Sequence, residues 1–330
     1  MLADKIVNVE PISEGFSKDK KYSVHTYDGK QYFLRIFDFN QYGKMNIEYK
    51  ALRQLVASDV PVMLPVEIGK LNEKFAMLNE PVINDNMGYI FYEWIIGVPF
   101  SQIMPQLSDF EKYLLGIEVG KILEKMHHTS SLNKHGDWYE VYIKRVHDML
   151  ARYNKTGIDL PHGSIAIRFF EENKHILKNR PQSFIHGDFS SGYMPVYITS
   201  SPPYFKIIDF GNAMFGDPIF DFHKLCLYST SVPFYAAGVI DGYHSFNIPN
   251  YFWELFALYS SIEVLFLTSW AYQVSPKGYK AMARRAKQTI SDYFKDMQCV
   301  VPSWYDSSLS KLSVQHRNGN VDILKKFLGN

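Results

Sequence analysis

Two short apolar runs end alike, 21 residues apart: Phe184-Ile185-His186-Gly187-Asp188 and Lys206-Ile207-Ile208-Asp209-Phe210-Gly211. Each puts an aspartate within two residues of a glycine at the end of a candidate β-strand, where a turn carries the carboxylate out of the ladder. Gly216-Asp217-Pro218 and Asp221 follow in the same order. Asp217 stands just before a candidate helix and Asp221 in its first turn, positions at which carboxylates brace helix starts. A single His-Gly-Asp is an ordinary turn. The ordered set is far more restrictive, because it fixes two strand ends and a helix start within one short stretch.

The rest of the chain has to supply a frame for these turns. Its 330 residues suffice for two domains, or for one fold with two lobes around a cleft. With 46% hydrophobic and 21% charged residues, a packed core is expected and global disorder is excluded. The net charge of +1 is well mixed along the chain, which offers no general attraction to nucleic acid or to a membrane. Cys226 and Cys299 are widely spaced, so neither a disulfide framework nor a structural zinc site is expected, and a reducing cytoplasm is. The opening MLADKIVNVEP lacks the basic start and apolar core of a signal peptide. Residues 251–272 are the most lipid-like stretch, but Glu254 and Glu263 interrupt it, and it reads as a buried helix.

Order along the chain points to an α+β fold: a β-rich N-terminal lobe at 1–97 and a larger helical lobe at 98–330. Two alternating runs joined at Asp28-Gly29 predict a hairpin. Residues 46–59 have helical spacing, with Ile47, Ala51, Leu52 and Leu55 on one face. Gly97 and Pro99 mark a hinge after the apolar run at 89–96. Ser108 and Glu111 form a capping box at the start of a helix. The two aspartate-bearing turns are expected on a β-hairpin within the helical lobe, and the chain beyond Asp221 is expected to be mostly helix.

Phosphoryl transfer needs positioned phosphates, metal ions that neutralise charge, and a carboxylate that orients the attacking hydroxyl. In kinases these parts come as H-R-D-x-x-x-x-N followed by D-F-G. With His186-Gly187-Asp188, then Asp209-Phe210-Gly211, then Gly216-Asp217-Pro218, the chain resembles the aminoglycoside phosphotransferase family, a kinase-like group of small-molecule and antibiotic kinases. The resemblance spans roughly residues 5–300 and implies a protein-kinase-like two-lobe fold. It implies Asp188 as the catalytic carboxylate, Asp209 as the Mg²⁺ ligand, and His186, Asp217 and Asp221 as residues that structure the loop. In the first lobe it implies Arg35 facing the phosphates with Glu48 as its ion-pair partner, a phosphate loop around Gly15, and adenine contacts from the backbone near Glu93 and Ile95. The implied partners are ATP or GTP with Mg²⁺, and a small hydroxylated acceptor such as an aminoglycoside or another antibiotic.

One position departs from that pattern. Tyr193 stands where the family would place a second metal-binding Asn, and Ser190 and Ser191 replace a bulkier pair. A phenol is longer and a poorer Mg²⁺ ligand than an amide carbonyl. Three readings follow: a working enzyme with an altered metal shell, in which Ser190 or Ser191 could substitute; a pseudokinase that binds nucleotide without transfer; or an unusual acceptor that meets Tyr193. Acids beyond Asp221 are sparse (Asp241, Glu254, Glu263, Asp292, Asp296) and aromatics are dense; most of the aromatics read as core, and any that line a cleft would favour a flatter or less charged acceptor.

Overall fold

Alternation in the first hundred residues becomes a five-stranded antiparallel sheet of order β1-β2-β3-β5-β4, formed by β1 (Ile6–Pro11), β2 (Lys20–Thr26), β3 (Gln31–Asp38), β4 (Pro65–Lys70) and β5 (Met87–Glu93). The computed structural model describes residues 1–13, 19–78, 86–129, 136–189, 196–198, 205–229, 231–274 and 276–311. Its contacts divide the chain into two units: Met1–Val98 with Val196–Ile208, and Pro99–Pro195 with Asp209–Asn330.

In the first unit, β2 and β3 meet across the expected turn. Gly29 takes a φ of +76°, and Thr26 N–H donates to the Lys30 carbonyl at 2.9 Å. One face of the sheet buries Tyr22, Val24, Leu34, Ile36, Tyr89 and Phe91 against Leu71, Phe75 and Leu78. The opposite face carries Arg35 and Tyr92, which meet Glu48 on α1 (Tyr42–Ala57). α1 buries Met45, Glu48, Ala51, Leu52 and Leu55. Ile47, expected on that face, is 40% exposed instead. It lies one residue step, about 100° around the helix, from Glu48 at the centre of the buried stripe.

The chain leaves this unit at β6 (Val98–Pro99) and enters a helical region. There α2 (Phe100–Ile103) precedes α3 (Asp109–Thr129), α4 (Trp138–Lys155) and α5 (Gly163–Asn173). The capping box forms as expected: Glu111 N–H donates to Ser108 Oγ at 3.3 Å, and Ser108 N–H donates to Glu111 Oε2 at 2.8 Å. β7 (Ser183–Ile185) then delivers the turn that carries Asp188.

The two turns do not share a hairpin. β8 (Val196–Ile198) pairs with β9 (Phe205–Ile207), whereas β7 pairs with β10 (Met214–Gly216). The β8–β9 segment, assigned from sequence to the helical lobe, groups with the first unit. The physical reason is main-chain bonding: Ile207 N–H donates to Pro61 O at 2.8 Å, and Met63 N–H to Ile207 O at 2.9 Å.

Past β10 come α6 (Leu225–Tyr228), α7 (Pro233–Tyr243), α8 (Asn250–Val274), α9 (Pro276–Gln288) and α10 (Ser303–Lys311). α3 and α7 pack backbone to backbone through glycines. A Cβ on Gly116 would fall 2.3 Å from the Tyr235 carbonyl oxygen, and one on Gly238 would fall 2.1 Å from that of Tyr113. α8 is long and apolar enough to cross a membrane by length and composition, but 83% of its most apolar window is buried inside the protein, as its two glutamates anticipated.

Candidate active site

The turn after β7 depends on Gly187. It adopts a φ of +74°, and a Cβ there would sit 2.2 Å from the carbonyl oxygen of Asn212. Only glycine lets this loop lie directly on the turn that follows Asp209. Asp221, fully buried, straddles the loop from below: its Oδ2 accepts His186 N–H at 2.8 Å and its Oδ1 accepts Gly187 N–H at 2.7 Å. His127 Nε2 donates to the same carboxylate at 2.9 Å, and the Tyr243 hydroxyl stands 3.0 Å from His127 Nδ1. His186 is buried, with its ring against Phe210 and Phe189, and its Nδ1 accepts Asp188 N–H at 3.3 Å.

These contacts present Asp188 half-buried, with both carboxylate oxygens engaged. Asn212 Nδ2–H donates to Oδ2 at 3.0 Å, and the Lys224 ammonium pairs with Oδ1. Lys224 lies three residues past Asp221, so the helix start that braces the loop also supplies the cation. Deeper in this unit, Glu263 from α8 is buried, and burial pushes its carboxyl up to about 7 against the opposing influence of Lys224 and Arg145. His223 Nε2 lies 3.6 Å from that carboxyl. Burial, then Lys224 and Arg145, hold the His223 pKa well below its ordinary range, so its ring is neutral. With Nδ1 donating to the Phe220 carbonyl, the bare Nε2 faces Glu263.

Asp209 occupies the left-handed region at φ 63°, exposed, and opens a single 3-10 turn, Phe210–Asn212. Phe210 is buried beneath His186 and Phe184 and anchors that turn. Asp217 caps the helical turn Pro218–Phe222 by accepting Ile219 N–H at 3.0 Å. It also takes Arg180 through Nε at 2.7 Å and Nη2 at 3.2 Å, and the Tyr259 hydroxyl at 2.8 Å.

The family resemblance implies a divalent cation, and the donor chemistry at the second turn fits one. Asp209 offers an exposed carboxylate and Asn212 an exposed amide on either side of one turn, both hard oxygen donors. Among the described residues no group of three or more His, Cys, Asp or Glu could enclose an ion. A cation here would therefore complete its shell with phosphate and water oxygens, the habit of Mg²⁺.

The first unit has its own charged cluster. Arg35 Nε and Nη2 grip Asp19 Oδ2 at 2.6 and 2.5 Å, and Arg35 Nη1 lies 3.8 Å from Glu48 Oε2. Burial opposes the guanidinium's charge, but Tyr92, Glu48 and Asp19 together hold its pKa above the ordinary value. Glu48 also accepts the Tyr92 hydroxyl at 2.6 Å. Glu93 accepts Leu64 N–H at 2.8 Å and pairs with Lys206, while its own N–H donates to the Leu64 carbonyl at 2.9 Å. A main-chain contact from Glu93 to a nucleotide would thus use its carbonyl, with Ile95 half-buried in the irregular stretch 94–96 beyond. Ser190, Ser191, Tyr193 and Gly15 lie outside the described residues, as do residues 312–330.

A family model for the phosphotransferase enzyme family (APH) matches residues 8–253. The chain belongs to that phosphotransferase family. No curated protein matches it. Among solved structures, aminoglycoside phosphotransferase APH(4)-Ia is similar at a TM-score of 0.61 and 15% identity, covering 88% of this chain and 95% of its own. Amicoumacin kinase hAmiN, in complex with AMP-PNP, Ca²⁺ and Ami, gives 0.60 and 13%, covering 93% and 95%. A microcompartment-associated aminopropanol kinase gives 0.59 and 15%, covering 89% and 94%. The fold of this phosphotransferase-family chain is thus kinase-like: a small antiparallel-sheet N-terminal part and a larger helical C-terminal part.

Within this family member, four groups at the two clusters escaped the sequence: Lys224 and Asn212 on Asp188, His127 on Asp221, and Asp19 on Arg35. Only Asn212 and Lys224 left a trace, each three residues beyond an aspartate already singled out. Two of the acids weighed as acceptor ligands are committed elsewhere. Asp241 is buried and receives the Tyr113 hydroxyl at 2.5 Å and the Tyr305 hydroxyl, and Glu263 is the buried partner of His223.

Proposed function

We propose that this protein transfers the terminal phosphoryl group of a nucleoside triphosphate to a hydroxyl of a small organic acceptor. The observation that carries the reading is Asp188, a half-buried carboxylate held at both oxygens and lying against the turn that bears Asp209. That is the arrangement a base needs: a fixed rotamer and spare lone pairs for the incoming hydroxyl. The acceptor oxygen attacks the terminal phosphorus, the bond from that phosphorus to the bridging oxygen breaks, and the nucleoside diphosphate leaves. Asp188 orients the hydroxyl and takes its proton. Asp209 would hold Mg²⁺, which when bound would supply charge neutralisation at the phosphates. Arg35, kept cationic by Asp19 and Glu48, suits the donor's remaining phosphates.

Support for the acceptor class comes from the neighbours, which include proteins solved with hygromycin B and with spectinomycin. In this chain two acids of the helical unit are spent on internal pairing, and most of its aromatics are core, including Phe234, Tyr235, Tyr243, Phe252 and Trp253. The reading therefore favours a hydroxylated acceptor of low positive charge over a polycationic aminoglycoside. Both cysteines are free thiols, which suits a reducing compartment. A binding-only alternative rests on Tyr193.

The test is Mg²⁺-dependent nucleotide consumption with hygromycin B, spectinomycin, aminopropanol or water as acceptor, in wild type and Asp188→Asn. Wild-type turnover that falls by about 10²-fold or more in the variant is expected. Turnover that Asp188→Asn leaves intact would refute the assignment, and nucleotide binding without turnover in wild type would favour the binding-only alternative.

A further inference from the structure

The family pattern asks for an amide oxygen beside the catalytic carboxylate, and the loop position that should carry it holds Tyr193. An amide is nevertheless present beside Asp188, and it arrives from the other turn. Asn212 Nδ2 lies 3.0 Å from Asp188 Oδ2. An ionised carboxylate only accepts, so the NH₂ end of Asn212 must face it, and the carbonyl end is directed elsewhere. Asn212 is exposed, so that oxygen is not consumed by the core.

The main chain of Asn212 is fixed as well. Its carbonyl would lie 2.2 Å from a Cβ at Gly187, so the two turns are in direct contact and neither can shift without the other. Ala213 N–H closes the 3-10 turn onto Phe210 O at 2.8 Å, with Phe210 buried below. Asp209 opens this turn and Asn212 ends it, both exposed. One 3-10 turn rises only about 6 Å, which keeps a carboxylate and an amide at its two ends within reach of one hydrated cation. Lys224 does not compete for this place, because its ammonium sits on the opposite oxygen, Oδ1.

We propose that Asn212 replaces the missing loop amide as a metal ligand: its NH₂ group orients Asp188 and its carbonyl oxygen joins Asp209 on the divalent cation. This rests on the phosphotransferase reading and adds to it the way in which the metal shell is completed despite Tyr193. One side chain then couples the base to the cation, so that metal binding and the orientation of Asp188 are linked.

The experiment is a Mn²⁺ titration of the full chain with AMP-PNP present, followed by electron paramagnetic resonance, which reads metal occupancy without turnover. Asn212→Ala is expected to weaken Mn²⁺ binding by about tenfold or more, with metal-free AMP-PNP binding within about twofold of wild type. Adding Tyr193→Asn to Asn212→Ala should restore most of the loss, since it returns an amide to the family's own position. Asn212→Ser is run in parallel with melting curves, so that a folding defect in one variant does not decide the outcome. Wild-type affinity in Asn212→Ala, with loss in Asp209→Ala, would overturn the inference and leave the phosphotransferase reading standing. Weakened binding that Tyr193→Asn fails to repair would assign Asn212 to holding the loop, and overturn it too. A wild type that binds no Mn²⁺ with AMP-PNP would remove the phosphotransferase reading itself, and this inference with it.

Discussion

Lys224 reaches Asp188 from the helix start that braces the Asp188 loop. Its ammonium touches the one carboxylate expected to accept a proton, and its side chain is only 14% exposed. A partly desolvated ion pair of this kind orients its acid more strongly than a surface pair. Lys224→Met keeps the stem and removes the charge; kcat is expected to fall by about tenfold or more, with the nucleotide KM within about twofold, and Lys224→Arg should recover most of the rate. Steady-state kinetics on the three proteins checks this, and an unchanged kcat in Lys224→Met would remove Lys224 from the account.

Glu263 supplies a second prediction at the same scale. Burial raises its pKa from 4.5 to about 7, so the folded protein holds this proton more tightly than the unfolded chain. The stability it contributes is complete below about pH 4.5 and drains as the pH rises through 7, on the order of 3 kcal/mol in all. Neutral His223 acts oppositely, losing stability as the pH falls below its ordinary value, so the native pair shows little net slope between them. Glu263→Gln removes only the first effect. Denaturant melts at pH 5 and pH 8 should show the variant gaining on wild type with increasing pH; a constant difference would mean that Glu263 is ionised throughout.

Among the elements, the contact between α3 and α7 is the least tolerant. Gly116 and Gly120 on α3 face Gly238 and Gly242 on α7, and at each a Cβ would approach a backbone carbonyl oxygen within 2.1 to 2.3 Å. Backbone atoms cannot rotate away as a side chain can, so Gly238→Ala must separate the helices. A loss of about 2–3 kcal/mol is expected, read as a shift in the denaturant midpoint. An unshifted midpoint would mean the helices are not packed this closely. α3 also carries His127, and α7 ends at Tyr243, so the packing sets the pair that supports Asp221. Activity of Gly238→Ala is therefore expected to fall along with its stability.

For the whole molecule, what the sequence made legible was local. The Asp28-Gly29 hairpin, the Ser108–Glu111 capping box, and the strand-then-turn settings of Asp188 and Asp209 each depend on a few adjacent residues. What it hid was non-local. Asp19 reaches Arg35 from 16 residues away, Asn212 reaches Asp188 from 24, and Lys224 from 36. No periodicity records such meetings. Grouping of 196–208 with the first unit was hidden for the same reason, since it depends on main-chain bonds to Pro61 and Met63. Ile47 failed differently: helical spacing gives a stripe but not its edge, and a buried Glu48 engaged with Tyr92 and Arg35 shifted that edge by one residue.

Passage of a phosphoryl group from nucleotide to a small hydroxylated acceptor leaves a phosphomonoester product that can be observed. Phosphorus NMR of the wild-type protein with Mg²⁺, ATP and hygromycin B, spectinomycin or aminopropanol should develop a new phosphomonoester resonance, growing in step with ADP and absent in Asp188→Asn. ATP that stays intact with every acceptor, or decays only to inorganic phosphate at a rate Asp188→Asn does not alter, would refute phosphoryl transfer through Asp188.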